Sequence, residues 1–167
     1  MKGRLRIALF AAAFTAVAFF VAHIGAHAFS EGYAIGFDPQ KTTCLPWRVF
    51  LLEKGVSGEL RRGDIVRIHA KGLEPHFEDG APLTKFVAGL PGDTVVVRDD
   101  KVYINGLYWG RLWLLHYLKK KPGSFDRSFT VPEGHVLLMG VAPNAYDGRY
   151  WDAVPVSWIT GRATPLL

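Results

Sequence analysis

Two side chains in this sequence could carry out nucleophilic chemistry together. Cys44, in Thr42-Thr43-Cys44-Leu45-Pro46-Trp47, is the one cysteine among 167 residues. It therefore excludes an internal disulfide and any cysteine-clustered metal site, leaving a buried packing residue or a reactive thiol. A thiol is intrinsically nucleophilic and needs less help from a base than a hydroxyl does. Lys85 stands in the run Pro82-Leu83-Thr84-Lys85-Phe86-Val87-Ala88-Gly89-Leu90-Pro91-Gly92-Asp93. To act as a base a lysine must be neutral, which calls for an apolar pocket, and Leu83, Phe86 and Val87 are the local candidates for one. A Cys-Lys pair could settle as thiol and amine or as thiolate and ammonium. Taken singly, each residue has a plainer reading: a small buried cysteine and a solvated edge lysine.

The elements that must position these residues read as strands. From Tyr33 onward, short β-branched and aromatic runs are broken by Gly, Pro, Asp and Asn. Strands are expected at Tyr33–Phe37, Arg48–Leu52, Ile65–His69, Lys85–Ala88, Thr94–Arg98, Val102–Ile104, Phe129–Val131, Val136–Met139 and Ser157–Thr160. Asp99-Asp100 reads as a tight turn, and Asn105-Gly106 as a type I′ hairpin turn because both residues tolerate positive φ. The sequence shows neither an internal repeat nor a low-complexity tract. Tyr108–Leu118 is dense in aromatic and aliphatic residues and runs into Lys119-Lys120-Lys121. It reads either as a core strand or short helix with a basic end, or as a surface element dipping Trp109 and Trp113 into a membrane.

Lys2, Arg4 and Arg6 precede an apolar run from Ile7 to Ala22, extendable to Ile24, close to the length of a membrane-spanning helix. Positive charge ahead of the run places the amino terminus inside and the remainder outside. Ala26-His27-Ala28 is also an A-x-A pattern that would suit cleavage of a signal peptide. The expected organisation is an anchor or signal segment at residues 1–28 and one mainly β domain at 29–167. It sits on a bacterial inner membrane with the domain in the periplasm, or is released there after cleavage following Ala28. The formal net charge of +5 suits an anionic membrane surface. No zinc-ligand, helix-turn-helix or ribonucleoprotein signature points to nucleic acid, and nothing points to a metal or organic cofactor.

The run from Lys85 to Asp93 closely resembles the box that bears the general-base lysine in the signal peptidase I family of Ser-Lys peptidases. Other stretches resemble that family's boxes in the same order. In Thr42–Trp47, Cys44 stands where the family has the serine of Ser-x-Pro, and Pro46 fixes the backbone just beyond it, which helps to aim an oxyanion hole. Arg62-Gly63-Asp64-Ile65-Val66 and Val131–Gly140 follow the pattern. Tyr146-Asp147-Gly148-Arg149-Tyr150-Trp151 resembles the closing Asp-Ser-Arg segment, with Gly148 in place of its serine.

The resemblance spans roughly residues 30 to 160 and is strongest to the TraF-type peptidases of conjugative transfer systems. It implies a signal-peptidase-like β fold with Cys44 as nucleophile and Lys85 as base. Asp147 and Arg149 would support them, as an ion pair near Lys85 or as a structural pair at the surface. It also implies an exported substrate, a pilin or similar precursor that is cleaved and in some systems cyclised. The loss of the serine hydroxyl at Gly148 implies that other groups hold Lys85. Two rival readings are an inactive pilus-assembly binding module and a general signal peptidase.

Overall fold

The computed structural model describes residues 2–38, 44–55 and 58–167; Thr42 and Thr43 of the cysteine box lie outside them. The chain divides into two compact units, one running through Ala34 and the other from Ile35 to Leu167. The first is dominated by helix α1 (Lys2–Gly32). Its stretch Leu9–Gly32, 24 residues, is long and apolar enough to cross a membrane, spanning about 36 Å at the helical rise. The helix runs past the expected end at Ile24, because no residue between there and Gly32 forbids helical geometry. Ala26-His27-Ala28 therefore lies within it.

The remainder is mainly β. One sheet has seven strands in the order β1-β2-β11-β3-β4-β9-β10: β1 (Tyr33–Phe37), β2 (Val49–Lys54), β3 (Ile65–His69), β4 (Pro82–Gly89), β9 (His135–Met139), β10 (Val154–Pro155) and β11 (Ile159–Pro165). A second sheet has four, in the order β7-β6-β5-β8: β5 (Thr94–Arg98), β6 (Lys101–Ile104), β7 (Leu107–Arg111) and β8 (Arg127–Thr130). The hairpin turns form as their residue types require. Asp99 and Asp100 have φ of 51° and 58°, and Asn105 and Gly106 of 51° and 78°.

Two apolar cores lie on opposite faces of β4 and β9. Val87 and Leu138 pack with Val66, Ile68 and Leu83, whereas Ala88, Leu137 and Met139 pack with Val95, Val97 and Val102. Because alternate residues of a strand face opposite sides, a strand that walls two cores must be apolar throughout, and β9 (His-Val-Leu-Leu-Met) is buried from its second residue on. The aromatic stretch at 108–118 is not a surface element throughout, since one of the two tryptophans expected to meet a membrane packs inward. Trp109 lies on β7 against Phe86, ring centroids 5.2 Å apart, and belongs to the second core. Trp113 and Tyr117 stay exposed in the turns that follow.

Candidate active site

Lys85 projects from β4 on the same face as Leu83 and Val87 and lies opposite Val66 of β3. It is 1% exposed. Its strand is clamped just beyond it, where Gly63 N–H donates to Val87 O and Val87 N–H to Asp64 O, both at 2.8 Å. The Pro91-Gly92 turn then reverses the chain, with Gly92 at φ 87°, a conformation glycine adopts without strain. Asp93 fastens this turn: it forms an ion pair with Arg62 at 2.8 Å and accepts from Leu90 N–H at 2.6 Å and Asn105 Nδ2 at 2.7 Å. The Arg62 hydrogen bond, helped by the other two donors and opposed by burial, holds the Asp93 carboxyl at a pKa of about 2.

Cys44 comes to Lys85 from a separate segment, the bend leading into β2. Lys85 Nζ donates to Cys44 Sγ at 2.5 Å, across 41 residues of sequence. The thiol is partly exposed, whereas Leu45 beside it is buried. The Cys44 carbonyl accepts from Val141 N–H at 2.8 Å and Ala142 N–H at 3.2 Å, so the loop after β9 fixes the backbone of Cys44. That loop can approach because residue 140 is glycine. A Cβ there would lie 2.8 Å from Cys44 O and 3.0 Å from Cys44 Cβ, closer than a side-chain atom ordinarily sits.

Asp147 and Arg149 hold the loop in turn. Asp147 is fully buried and Arg149 is 3% exposed. The guanidinium meets the carboxylate through Nε at 2.8 Å and Nη2 at 2.7 Å. It also donates to the carbonyls of Gly140, Ala142 and Pro143 at 3.2, 2.9 and 3.2 Å, and Asp147 accepts from Gly140 N–H at 2.7 Å. Burial works against the Arg149 charge, but the hydrogen bonds and charge of Asp147 more than offset it and hold its pKa above the ordinary value. The pair is thus buried and acts on the loop behind Cys44. Among the described residues the side-chain partner of Lys85 Nζ is Cys44, and neither Asp147 nor Arg149 bonds to it. Gly148 opens the short helix α2 (Gly148–Trp151) under β9, where an added Cβ would lie 2.8 Å from Leu138 O.

Beside the Cys44–Lys85 contact runs a cleft of about 220 Å³, whose wall includes Phe77, Leu83, Thr84 and Arg67. It also includes Pro82, so it follows β4 from Pro82 to Lys85, the part that among the described residues pairs with β3 alone. Pairing with β9 begins at Phe86. An extended peptide could add to such an unpaired edge. Sequence reasoning found the four residues singled out above but missed Arg67, Phe77 and the backbone of residues 140–142. Strand alternation places Arg67 on a polar face, and nothing in its neighbours signals that β1 and β4 enclose it. Among the described residues no three His, Cys, Asp or Glu side chains converge as a metal site requires.

A family model described as signal peptidase, peptidase S26, matches residues 6–167. Similar curated proteins include a signal peptidase I of Bacillus licheniformis, 38% identical over 90 residues, which are 50% of this chain and 45% of that protein. A probable signal peptidase I-2 of Synechocystis is 35% identical over 119 residues, 68% of this chain and 51% of that protein. A signal peptidase I of Enterococcus faecalis, solved by crystallography, is 28% identical and aligns with a TM-score of 0.41, covering 65% of this chain and 100% of that one. The chain spans about half the length of the curated relatives it matches.

Proposed function

The chain belongs to the signal peptidase family, peptidase S26, and from that premise we propose that it is a membrane-anchored peptidase that cleaves an exported precursor by acyl transfer through Cys44 and Lys85. The observation that carries this reading is the contact of the Lys85 amine with the Cys44 thiol at the end of a cleft. Cys44 Sγ attacks the scissile carbonyl while Lys85 Nζ takes the thiol proton. As the tetrahedral intermediate collapses, that proton passes to the departing amine and a thioester remains on Cys44. Water resolves the thioester, or the substrate's own amine does so, giving a ring. Lys85 is 1% exposed, and a buried lysine without a carboxylate partner is costly, so its retention argues against a decayed site kept for binding alone.

Asp147 and Arg149 are positioning residues, since they touch the loop that fixes Cys44 rather than the reacting atoms. Helix α1 supplies the anchor, with its basic start in the cytoplasm and the β domain in the periplasm, an orientation that rests on the charge asymmetry of the sequence. The proposed substrate is a pilin precursor, a choice that rests on the resemblance of the boxes to TraF-type peptidases. General signal peptidase activity is the second reading, favoured by the names of the curated relatives.

Co-expression separates these readings. The full chain is paired with a pilin precursor from a conjugative system or with an exported reporter bearing an Ala-X-Ala site, and the products are weighed by mass spectrometry. The proposal expects the pilin to be cut and the reporter spared, with no cutting by Cys44→Ala; a product lighter than the linear form by one water marks cyclisation. Cutting of the reporter alone would establish the general activity instead. Cutting of neither would favour the binding module.

A further inference from the structure

Arg67 lines the same cleft from a direction that the acyl-transfer reading does not use. On β3 it pairs with Thr84 of β4, one step along from the Val66–Lys85 pair, so Arg67 and Thr84 share the face opposite Lys85 and Leu83. The cleft follows Pro82–Lys85 continuously and takes lining from both faces: Cys44, Leu83 and Phe77 with Lys85, and Phe37, Asp38 and Arg67 with Thr84. A peptide extended along this edge presents successive side chains to the two faces in alternation.

The guanidinium lies close against β1, where a Cβ at Gly36 would lie 2.9 Å from Arg67 Nη1 and 2.7 Å from Leu52 Cδ1. Among the described residues no carboxylate stands within ion-pair distance of it. Burial lowers its pKa, and the charge of Asp38, acting from farther off, opposes that only in part. A half-buried guanidinium in a cleft is a planar donor fork, a geometry that matches a carboxylate with two parallel hydrogen bonds.

We infer that Arg67 is a specificity-determining residue that recognises an acidic side chain of the substrate at one position preceding the scissile bond, among those that face Thr84. The inference deepens the peptidase reading and rests on it for the direction of the substrate, but its test does not require turnover. Short peptide aldehydes ending in alaninal react reversibly with a thiol and so fix their register at Cys44. Each carries Ala, Asp or Lys at one of the positions before the aldehyde. The full chain in detergent is incubated with each, and protection of Cys44 from iodoacetamide is read by mass spectrometry.

At one position before the aldehyde, Asp should lower the half-protecting concentration about tenfold relative to Ala, as a charge-assisted hydrogen bond would, and Lys should raise it. Arg67→Gln should bring the Asp-to-Ala ratio close to one, and Arg67→Glu should reverse the preference toward Lys. Equal protection by the Asp and Ala peptides in the wild-type chain, or an Asp preference that survives in Arg67→Gln, would overturn the inference. Failure of every aldehyde to protect Cys44 would also count against it. If precursors go uncut while the Asp preference tracks Arg67, the peptidase reading fails and this recognition stands.

Discussion

Asp147 grips Arg149 through two parallel hydrogen bonds, Oδ1 to Nε at 2.8 Å and Oδ2 to Nη2 at 2.7 Å, with both residues buried. The pair carries its order to Cys44 through the carbonyls of residues 140, 142 and 143 and the two N–H groups that hold Cys44 O. Removing one partner strands a buried charge. Asp147→Asn is expected to cost roughly 3 to 5 kcal/mol of stability, measurable by urea unfolding. Arg149→Lys keeps a charge but loses the fork. It should slow iodoacetamide alkylation of Cys44 or broaden its kinetics well below the melting temperature, which a purely structural pair remote from the thiol would not do.

The proton function proposed for Lys85 would act from an apolar wall, so its amine and its packing can be separated. Lys85→Met fills the same space without the amine. Peptidase activity should fall by about 10²-fold or more, the usual contribution of a positioned acid–base group, with no loss of thermal stability because a buried polar atom is exchanged for an apolar one. A variant that melts lower and loses activity in proportion would make Lys85 a structural residue.

Asp93 gives the fold a defined acid sensitivity. Its folded pKa of about 2 lies below the ordinary carboxylate value near 3.8. The folded state therefore binds the proton more weakly than the unfolded chain, and the carboxylate stabilises the fold above about pH 4. That stabilisation, at most about 2 kcal/mol, is lost as pH falls from about 4 through 2. Asp93→Asn should flatten the unfolding free energy across this window, and a wild-type curve already flat there would contradict the assignment.

How far the sequence disclosed this structure depends on whether a feature is local. Ile65–His69 and Thr94–Arg98 form strands with the expected bounds, and the Asp-Asp and Asn-Gly turns adopt the φ their residue types favour, because alternation and turn chemistry are written in adjacent residues. The insertion of β11 between β2 and β3 brings the chain's end back to its middle, and no short pattern encodes that. Strand β10 is two residues long and helix α2 four, too short for any period to show. The four residues singled out at the site belong to local boxes. The arginine of the cleft meets Gly36 and the loop behind Cys44 meets that residue's carbonyl only through the fold, so local pattern left these contacts unmarked.

Gly148 stands where the family pattern resembled by this segment carries serine, and restoring that serine should harm this protein. A Cβ at 148 would meet Leu138 O at 2.8 Å and Leu137 Cδ1 at 2.7 Å, forcing α2 off β9. Gly148→Ser should lose roughly 1 to 3 kcal/mol, the range of an overpacked core, in thermal unfolding. Unchanged stability would mean that α2 shifts freely.

The aromatic stretch splits by exposure, and only its exposed half can meet a lipid surface. Trp113 and Tyr117 are 62% and 73% exposed and lie close in sequence to Lys119-Lys120-Lys121. Replacing both by serine should weaken binding of a chain lacking α1 to anionic liposomes, provided circular dichroism shows that shortened chain folded. Trp109→Ser should instead destabilise the fold through its contact with Phe86. Liposome binding that ignores Trp113 and Tyr117 would assign them to ordinary surface.

If Cys44 forms the acyl intermediate with Lys85 as its proton partner, a covalent adduct must appear on Cys44 during turnover. The most direct measurement mixes the purified full chain with a cleavable precursor, quenches in acid, and weighs the peptide that contains Cys44. A mass increase equal to the acyl fragment is expected, removed by neutral hydroxylamine as a thioester is, absent in Cys44→Ala and strongly reduced in Lys85→Met. Cleavage at the wild-type rate by Cys44→Ala, with no adduct on any Cys44 peptide, would contradict it.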